Sequence, residues 1–195
     1  MYKIIKMATT TKWSIDPGHS KIQFKVKHLA IANVTGSFNT VSGHAEKEGE
    51  TFDGAPVFFE IEAGSIDTNN SERDNHLKSD LFLDVAKHPK IVFNGVVEAG
   101  GERLAGDLTI LGNTRPIVLA LEYTGTGVGR FNDTRAGFEL SGKFNRKDFG
   151  LNFNLRTDVG NLVVGEEVRI TGDIELIRTA VVSKTGNPIA GKVVV

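Results

Sequence analysis

The feature that most limits this chain is an apolar residue at every second position. In KIQFKVK (21–27), Ile22, Phe24 and Val26 fall on one side of an extended chain, and Lys21, Gln23, Lys25 and Lys27 on the other. Strand side chains alternate between two faces, so this period commits the segment to a half-buried strand and argues against a helix. The pattern returns at Val57, Phe59, Ile61 and Ala63, at Ile91, Phe93 and Val97, and at Leu104, Leu108 and Ile110. It continues through Ile117, Leu119, Leu121 and Tyr123, through Phe138, Leu140 and Phe144, and through Val168, Ile170, Ile174 and Leu176. Val34 and Phe38 begin one more strand, whose phase slips near Thr40–Val41 and predicts a bulge.

About eight strands follow, with turn residues such as Ala99-Gly100-Gly101-Glu102 and Gly112-Asn113-Thr114 between them. One apolar and one polar face per strand suits an antiparallel sheet around one core. The expected fold is all-β: an extended eight-stranded antiparallel barrel, since closure removes exposed edges. A two-sheet sandwich fits the pattern as well. A length of 195 residues suits one domain with a sizeable core.

One connection breaks the rhythm. Between Ala63 and Lys90, after the third strand of the pattern, the chain runs far beyond hairpin length. Ser71-Glu72-Arg73-Asp74 resembles a capping box that opens a short helix. Leu77 and Leu81, four apart, would share its inward face. The run RDNHLKSDLF (73–82) thus reads as a helical plug between strands.

Glycine interrupts the apolar faces in a regular way. Gly36, Gly95, Gly106, Gly142 and Gly172 all have inward parity. Glycine weakens a strand and fills no space, so each needs a reason. Curvature is one, because barrels turn corners at glycine. Room is the other: missing side chains ringed by Phe, Leu, Ile and Val would leave a dry cavity suited to a lipid chain.

Other chemistries find little support. The net charge of −1 gives no global attraction for nucleic acid or an anionic surface, and the absence of cysteine excludes disulfide and thiolate chemistry. Ile4–Ile5 is too short for a secretory apolar core, and no run reaches the length of a membrane span, so a cytoplasmic protein is expected. Asp16, His19 and Ser20 in DPGHS are triad residue types without a nucleophile elbow; Asp16-Pro17-Gly18 reads as a turn. The five histidines, His19, His28, His44, His76 and His88, show no metal-ligand spacing, and a calcium-loop match at Asp67, Asn69 and Ser71 fails at Glu72 and Lys78. No phosphate-binding glycine loop appears, and no cofactor or metal is expected. Arg73, Asp74 and His76 could do acid–base work, but a local structural clasp is the simpler role.

WSIDPGHSKIQFKVKHL (13–29), VTGSFNTVSG (34–43), SIDTNNSERDNHLKSDLFLDVAKHPKIVF (65–93), GDLTILGNTRPIVL (106–119) and NRKDFGL (145–151) together resemble the YceI-like family of polyisoprenoid-binding proteins. The resemblance spans residues 13–177. It leaves 1–12 as an N-terminal extension and 178–195 as a tail, in which Gly186-Asn187 suggests a turn. It implies a lipocalin-like barrel that binds a long isoprenoid or related amphiphilic lipid in its lumen, as a carrier, store or sequestering protein. It implies no catalytic mechanism, and family members are often exported. The expected lining is Phe24, Val26, Phe38, Phe59, Phe93, Leu108, Leu140 and Phe144, with His28 near a head group. Leu77, Leu81 and Phe82 would turn inward from a lid clasped by Arg73, Asp74 and His76. An enzyme acting on a barrel-bound lipid and a filled barrel serving protein interaction remain alternatives, and a homodimer stays open.

Overall fold

A computed structural model describes residues 9–155 and 163–183. The strands are β1 (Thr9–Ile15), β2 (Lys21–His28), β3 (Ala32–Phe38), β4 (Val41–Glu48), β5 (Pro56–Glu62), β6 (Ile66–Asp67), β7 (Lys90–Val97), β8 (Arg103–Ile110), β9 (Asn113–Val128), β10 (Thr134–Asn145) and β11 (Val164–Ser183). All pair antiparallel in one sheet, and β1 contacts both β4 and β11. The result is a closed ring of eight in the order β1, β4, β5, β7, β8, β9, β10, β11. β11 is long enough to pair with β1 along one half and β2 along the other. β2, β3 and β6 thereby prolong the wall beyond the ring.

The breaks in the wall are fastened. Where β1 gives way to β2, the Asp16 amide donates to the Glu175 carbonyl, and Ser20 Oγ bonds the Glu175 backbone. Arg135 donates to Asp16 at 2.7 Å, to Asp133 at 2.6 Å and to Glu175. DPGHS is therefore a corner, with its serine bonded to backbone and not to His19. Asp16, His19 and Glu175 do bring potential ligand atoms within 4.8 Å of one another, but the Arg135 guanidinium already sits on two of the three. At Thr40–Val41 the expected bulge is a full interruption between β3 and β4, held by hydrogen bonds from Asn39 and Thr40 to Ser65. Register irregularities fall instead at Lys12/Trp13, Gly137/Phe138 and Val164/Val168.

β1 and β4 are strands that the alternation does not reveal. β1 takes Thr9–Lys12 into the wall, and β11 continues past Ile177 to Ser183. The Gly186-Asn187 turn lies outside the described residues.

The two ends of the barrel differ. At one end the β4–β5 connection folds Phe52 inward. Its ring meets Trp13 at 5.3 Å and Phe138 at 4.9 Å, edge to face, and Lys47 covers it from outside. Edge-to-face packing of this kind makes a solid plug. At the other end the ring of hydrogen bonds splits twice. β6 pairs only with β3, which leaves a seam before β7, and β10 leaves β9 beyond Ser141. The second seam is filled by Phe149, 1% exposed, from the 3-10 turn Arg146–Phe149. The first is covered by α1 (Ser71–Lys78) and the loop after it.

Candidate functional site

A cavity of ≈ 170 Å³ occupies the split end. Its wall is built of inward strand residues, including Phe24, Val26, Phe38, Phe59, Phe93, Leu108, Leu140 and Phe144. A smaller void of ≈ 30 Å³ lies toward the plug, and Phe59 and Leu140 border both, forming a floor between them.

The inward glycines explain why large rings leave room. A Cβ on Gly36 would lie 2.5 Å from Phe24 Cζ, and one on Gly43 2.3 Å from Phe59 Cδ1. One on Gly95 or Gly106 would strike the Phe93 ring at 2.6 or 2.7 Å, and one on Gly172 would crowd Leu140 at 3.0 Å. Each glycine is a seat in which a neighbouring side chain lies back against the wall. The space is used, but by the lining itself, which recedes from the lumen. Gly106 is also walled by the Asn94 carbonyl at 2.3 Å, so a leucine there would break the sheet before it filled the cavity.

The cover is clasped by its own polar residues. The helix cap is Asn70, whose Oδ1 accepts from the Arg73 amide at 2.9 Å, so the helix begins one residue earlier than a Ser71 capping box requires. Asp74 Oδ1 accepts from the Thr68 amide at 2.9 Å and from its hydroxyl at 2.5 Å. Arg73 returns to the Thr68 hydroxyl and carbonyl at 2.7 and 2.8 Å. Thr68 is 4% exposed, so these bonds satisfy a buried backbone group. His76 does not join this network. It stacks edge-on against Phe82 at 5.0 Å and Phe153 at 5.5 Å, and Phe82 meets Phe153 at 4.6 Å.

Leu77 and Phe82 line the cavity, and so does the neighbouring Leu83. Leu81 does not: it is 57% exposed. The helix stops at Lys78, so the four-residue spacing from Leu77 no longer describes a shared face. His28 is also outside the lining. It sits at the end of β2 opposite Ala32 and Val164, past the last inward position that reaches the lumen, Val26.

Sequence reasoning missed Arg146. It is 3% exposed and borders the cavity. Its Nε donates to the Gly165 carbonyl at 2.9 Å, and Nη2 to those of Phe153 and Val164 at 2.7 and 3.2 Å; Nη1 bonds Leu151. Burial pushes the guanidinium below its ordinary pKa, opposed by nearby Glu166. The side chain ties the 151–155 segment to the start of β11. The one available signal was its place in NRKDFGL, a run otherwise read only for its resemblance.

A closed barrel, plugged at one end and split over an apolar cavity at the other, can now be set beside known proteins. The YceI-like domain profile matches residues 13–176. The chain belongs to the YceI-like family. A UPF0312 protein of Staphylococcus epidermidis is 33% identical over 85% of this chain and 96% of its own. One from Yersinia enterocolitica is 35% identical over 88% of each. Among solved structures, a Campylobacter jejuni YceI protein is 27% identical with a TM-score of 0.64, covering 78% of this chain and 90% of that one. A Saccharophagus degradans polyisoprenoid binding domain, 17% identical, covers 89% of this chain and all of its own with a TM-score of 0.64, and shows the shared YceI-like fold.

Proposed function

We propose that this YceI-like barrel holds the apolar chain of an isoprenoid or related amphiphilic lipid in its lumen, as a carrier, store or sequestering protein. The observation that carries the reading is the wall. Among the described residues that border the cavity, only Gln23 and Arg146 are polar; none is an acid, histidine or hydroxyl residue. Arg146 is already engaged by four carbonyls. Each methylene buried there contributes about 0.8 kcal/mol, so useful affinity needs no dedicated hydrogen bond.

The wall favours binding over chemistry. A lipid-modifying enzyme would need a proton carrier beside the guest, and His28 and His76 lie away from the lumen wall. A filled barrel acting only through its surface is disfavoured by the cavity itself. The sharing of this fold with a domain described as polyisoprenoid binding points to the same ligand class.

An engineered cavity of about 150 Å³ accepts benzene. The ≈ 170 Å³ here therefore takes about one ring-sized unit as it stands, and a longer chain enters by displacing the Leu77–Phe82 cover. Organic extraction of the purified protein followed by mass spectrometry tests the proposal, with loading of defined isoprenoids into any empty preparation. A stoichiometric long-chain lipid supports it. Failure of every loaded chain to protect the fold against heat or to compete for an apolar probe overturns it.

A further inference from the structure

We infer that the β2–β3 hairpin docks the open end of the barrel onto an anionic lipid bilayer. The inference rests on the lipid reading for its purpose, but on separate residues for its evidence. Three features coincide on this hairpin.

The first is an apolar tip. Ile31 is 84% exposed, and the adjoining turn presents Leu29 and Ala30. Leu29 donates its amide to the Val163 carbonyl at 3.0 Å, and Val163 donates to Leu155 at 2.9 Å, which sets the 57%-exposed Leu155 beside the tip. The second is backbone conformation. Leu29 and Ala30 hold φ of 52° and 61°, a region that costs non-glycine residues about 1–2 kcal/mol each. Hairpin turns of this hand favour Asn and Gly, so leucine and alanine there are not chosen for folding. The third is charge. No acidic residue occurs between Asp16 and Glu46, and among the described residues the side chains of Lys25 and Lys27, on the outer face of β2, make no ion pair or hydrogen bond. In a chain of net charge −1 this is a basic stretch, and Glu166 and Glu167 on the neighbouring β11 are already paired, with Lys147 and with Lys143 and Arg169.

An exposed isoleucine flanked by unpaired lysines matches a bilayer: the side chain enters the acyl boundary while the ammonium groups meet anionic head groups. The exposed Leu81 in the cover does not match, because Asp80 adjoins it in the chain. The hairpin is thus the contact edge, and Val26 and Phe24, inward on the same strand, lead from it into the lumen.

Vesicle co-sedimentation of the full chain tests this, with phosphatidylcholine alone against equal parts phosphatidylcholine and phosphatidylglycerol. Binding to the mixed vesicles, weakened by high salt, is expected. The double variant Lys25→Ala/Lys27→Ala should lose about thirtyfold in affinity, as about fivefold per lysine implies. Ile31→Asp should lose about tenfold or more, and Val118→Asp, on the exposed face of β9, should bind as wild type. Ile31 touches no core, so a circular dichroism match suffices to exclude misfolding. No binding to anionic vesicles, or equal losses at Val118 and Ile31, overturns the inference. Loading of lipid from dilute detergent is measured on the same proteins. A filled lumen without vesicle binding removes the docking alone; vesicle binding with a lumen that never fills supports the docking and removes the cargo reading alone.

Discussion

Replacing Gly36 with alanine isolates the role of the glycine seats. The added Cβ would stand 2.5 Å from Phe24 Cζ and 2.7 Å from Cε1, whereas ordinary contact begins at 3.4 Å. The backbone is not in the way, so the ring is what moves, by roughly 1 Å, and the cavity is the space in front of it. Overpacking costs about 1–3 kcal/mol, and the stiffer unfolded chain returns about 0.4–1 kcal/mol. A net loss of about 1–2 kcal/mol in urea unfolding of the ligand-free protein is expected. If the displaced ring excludes one or two methylenes of the guest, affinity falls about four- to fifteenfold. Titration with a fluorescent prenyl probe measures this. The variant Gly36→Ala/Phe24→Leu removes the ring tip and should recover most of the affinity, a coupling that independent sites would not show. The Cβ would also come within 2.8 Å of Thr68 Cγ2 in the cover's clasp. Wild-type binding by Gly36→Ala, or failure of Phe24→Leu to rescue it, would refute the seat mechanism; the latter would place the damage at Thr68.

Three further outcomes follow from the same contacts. Asp74→Ala leaves the Thr68 amide and hydroxyl without their acceptor, so the cover should loosen by about 1–3 kcal/mol; faster proteolysis within 68–82, with a nearly unchanged melting temperature, is the expected reading. Arg146→Met strands four buried carbonyls at about 1–3 kcal/mol each before relaxation, and should unfold at clearly lower urea than wild type. The hydrogen bond with His19, opposed by burial and aided by Arg135 and the Gly18 amide, holds Asp16 below its ordinary 3.8. A depressed carboxylate contributes stability above its unfolded pKa and loses it as pH falls through the folded one. Stability should therefore decline below about pH 3.8, and Asp16→Asn should flatten that part of the acid limb, measured by denaturant midpoints across the range.

The strands with large inward residues were legible because alternation survives without any knowledge of partners. β4 was not, since its inward positions include Gly43 and Ala45, small because Phe59 and the plug lie over them. Bulk at one position of a packed wall is given up to bulk at another, and a single-strand pattern records only the giver. β1 offers Trp13 as its one buried residue, so no period could form. In the site, parity placed Phe24, Phe38, Phe59, Phe93 and Phe144 on the cavity side. Leu81 failed where helical periodicity was carried past a helix end set by Ser79, an extended residue at ψ 172°. Arg146 was beyond reach for another reason. A charged residue in a turn reads as solvated, and the carbonyls that bury it come partly from β11, remote in sequence.

The two seams have a mechanical meaning. In a wall stitched all the way round, any increase in bore must tear ladder hydrogen bonds. Here β10, β11, β2, β3 and β6 form one flap and β5, β7, β8 and β9 another, and at the open end they are joined by packed side chains and by a few hydrogen bonds, among them the Glu62 amide to the Thr40 carbonyl and Asn113 Nδ2 to the Phe149 carbonyl, both at 3.0 Å. Flaps hinged on the Phe52 plug, like a clothes-peg on its spring, would admit guests of different girth at the expense of replaceable van der Waals contacts and those few bonds, with the strand ladders left whole.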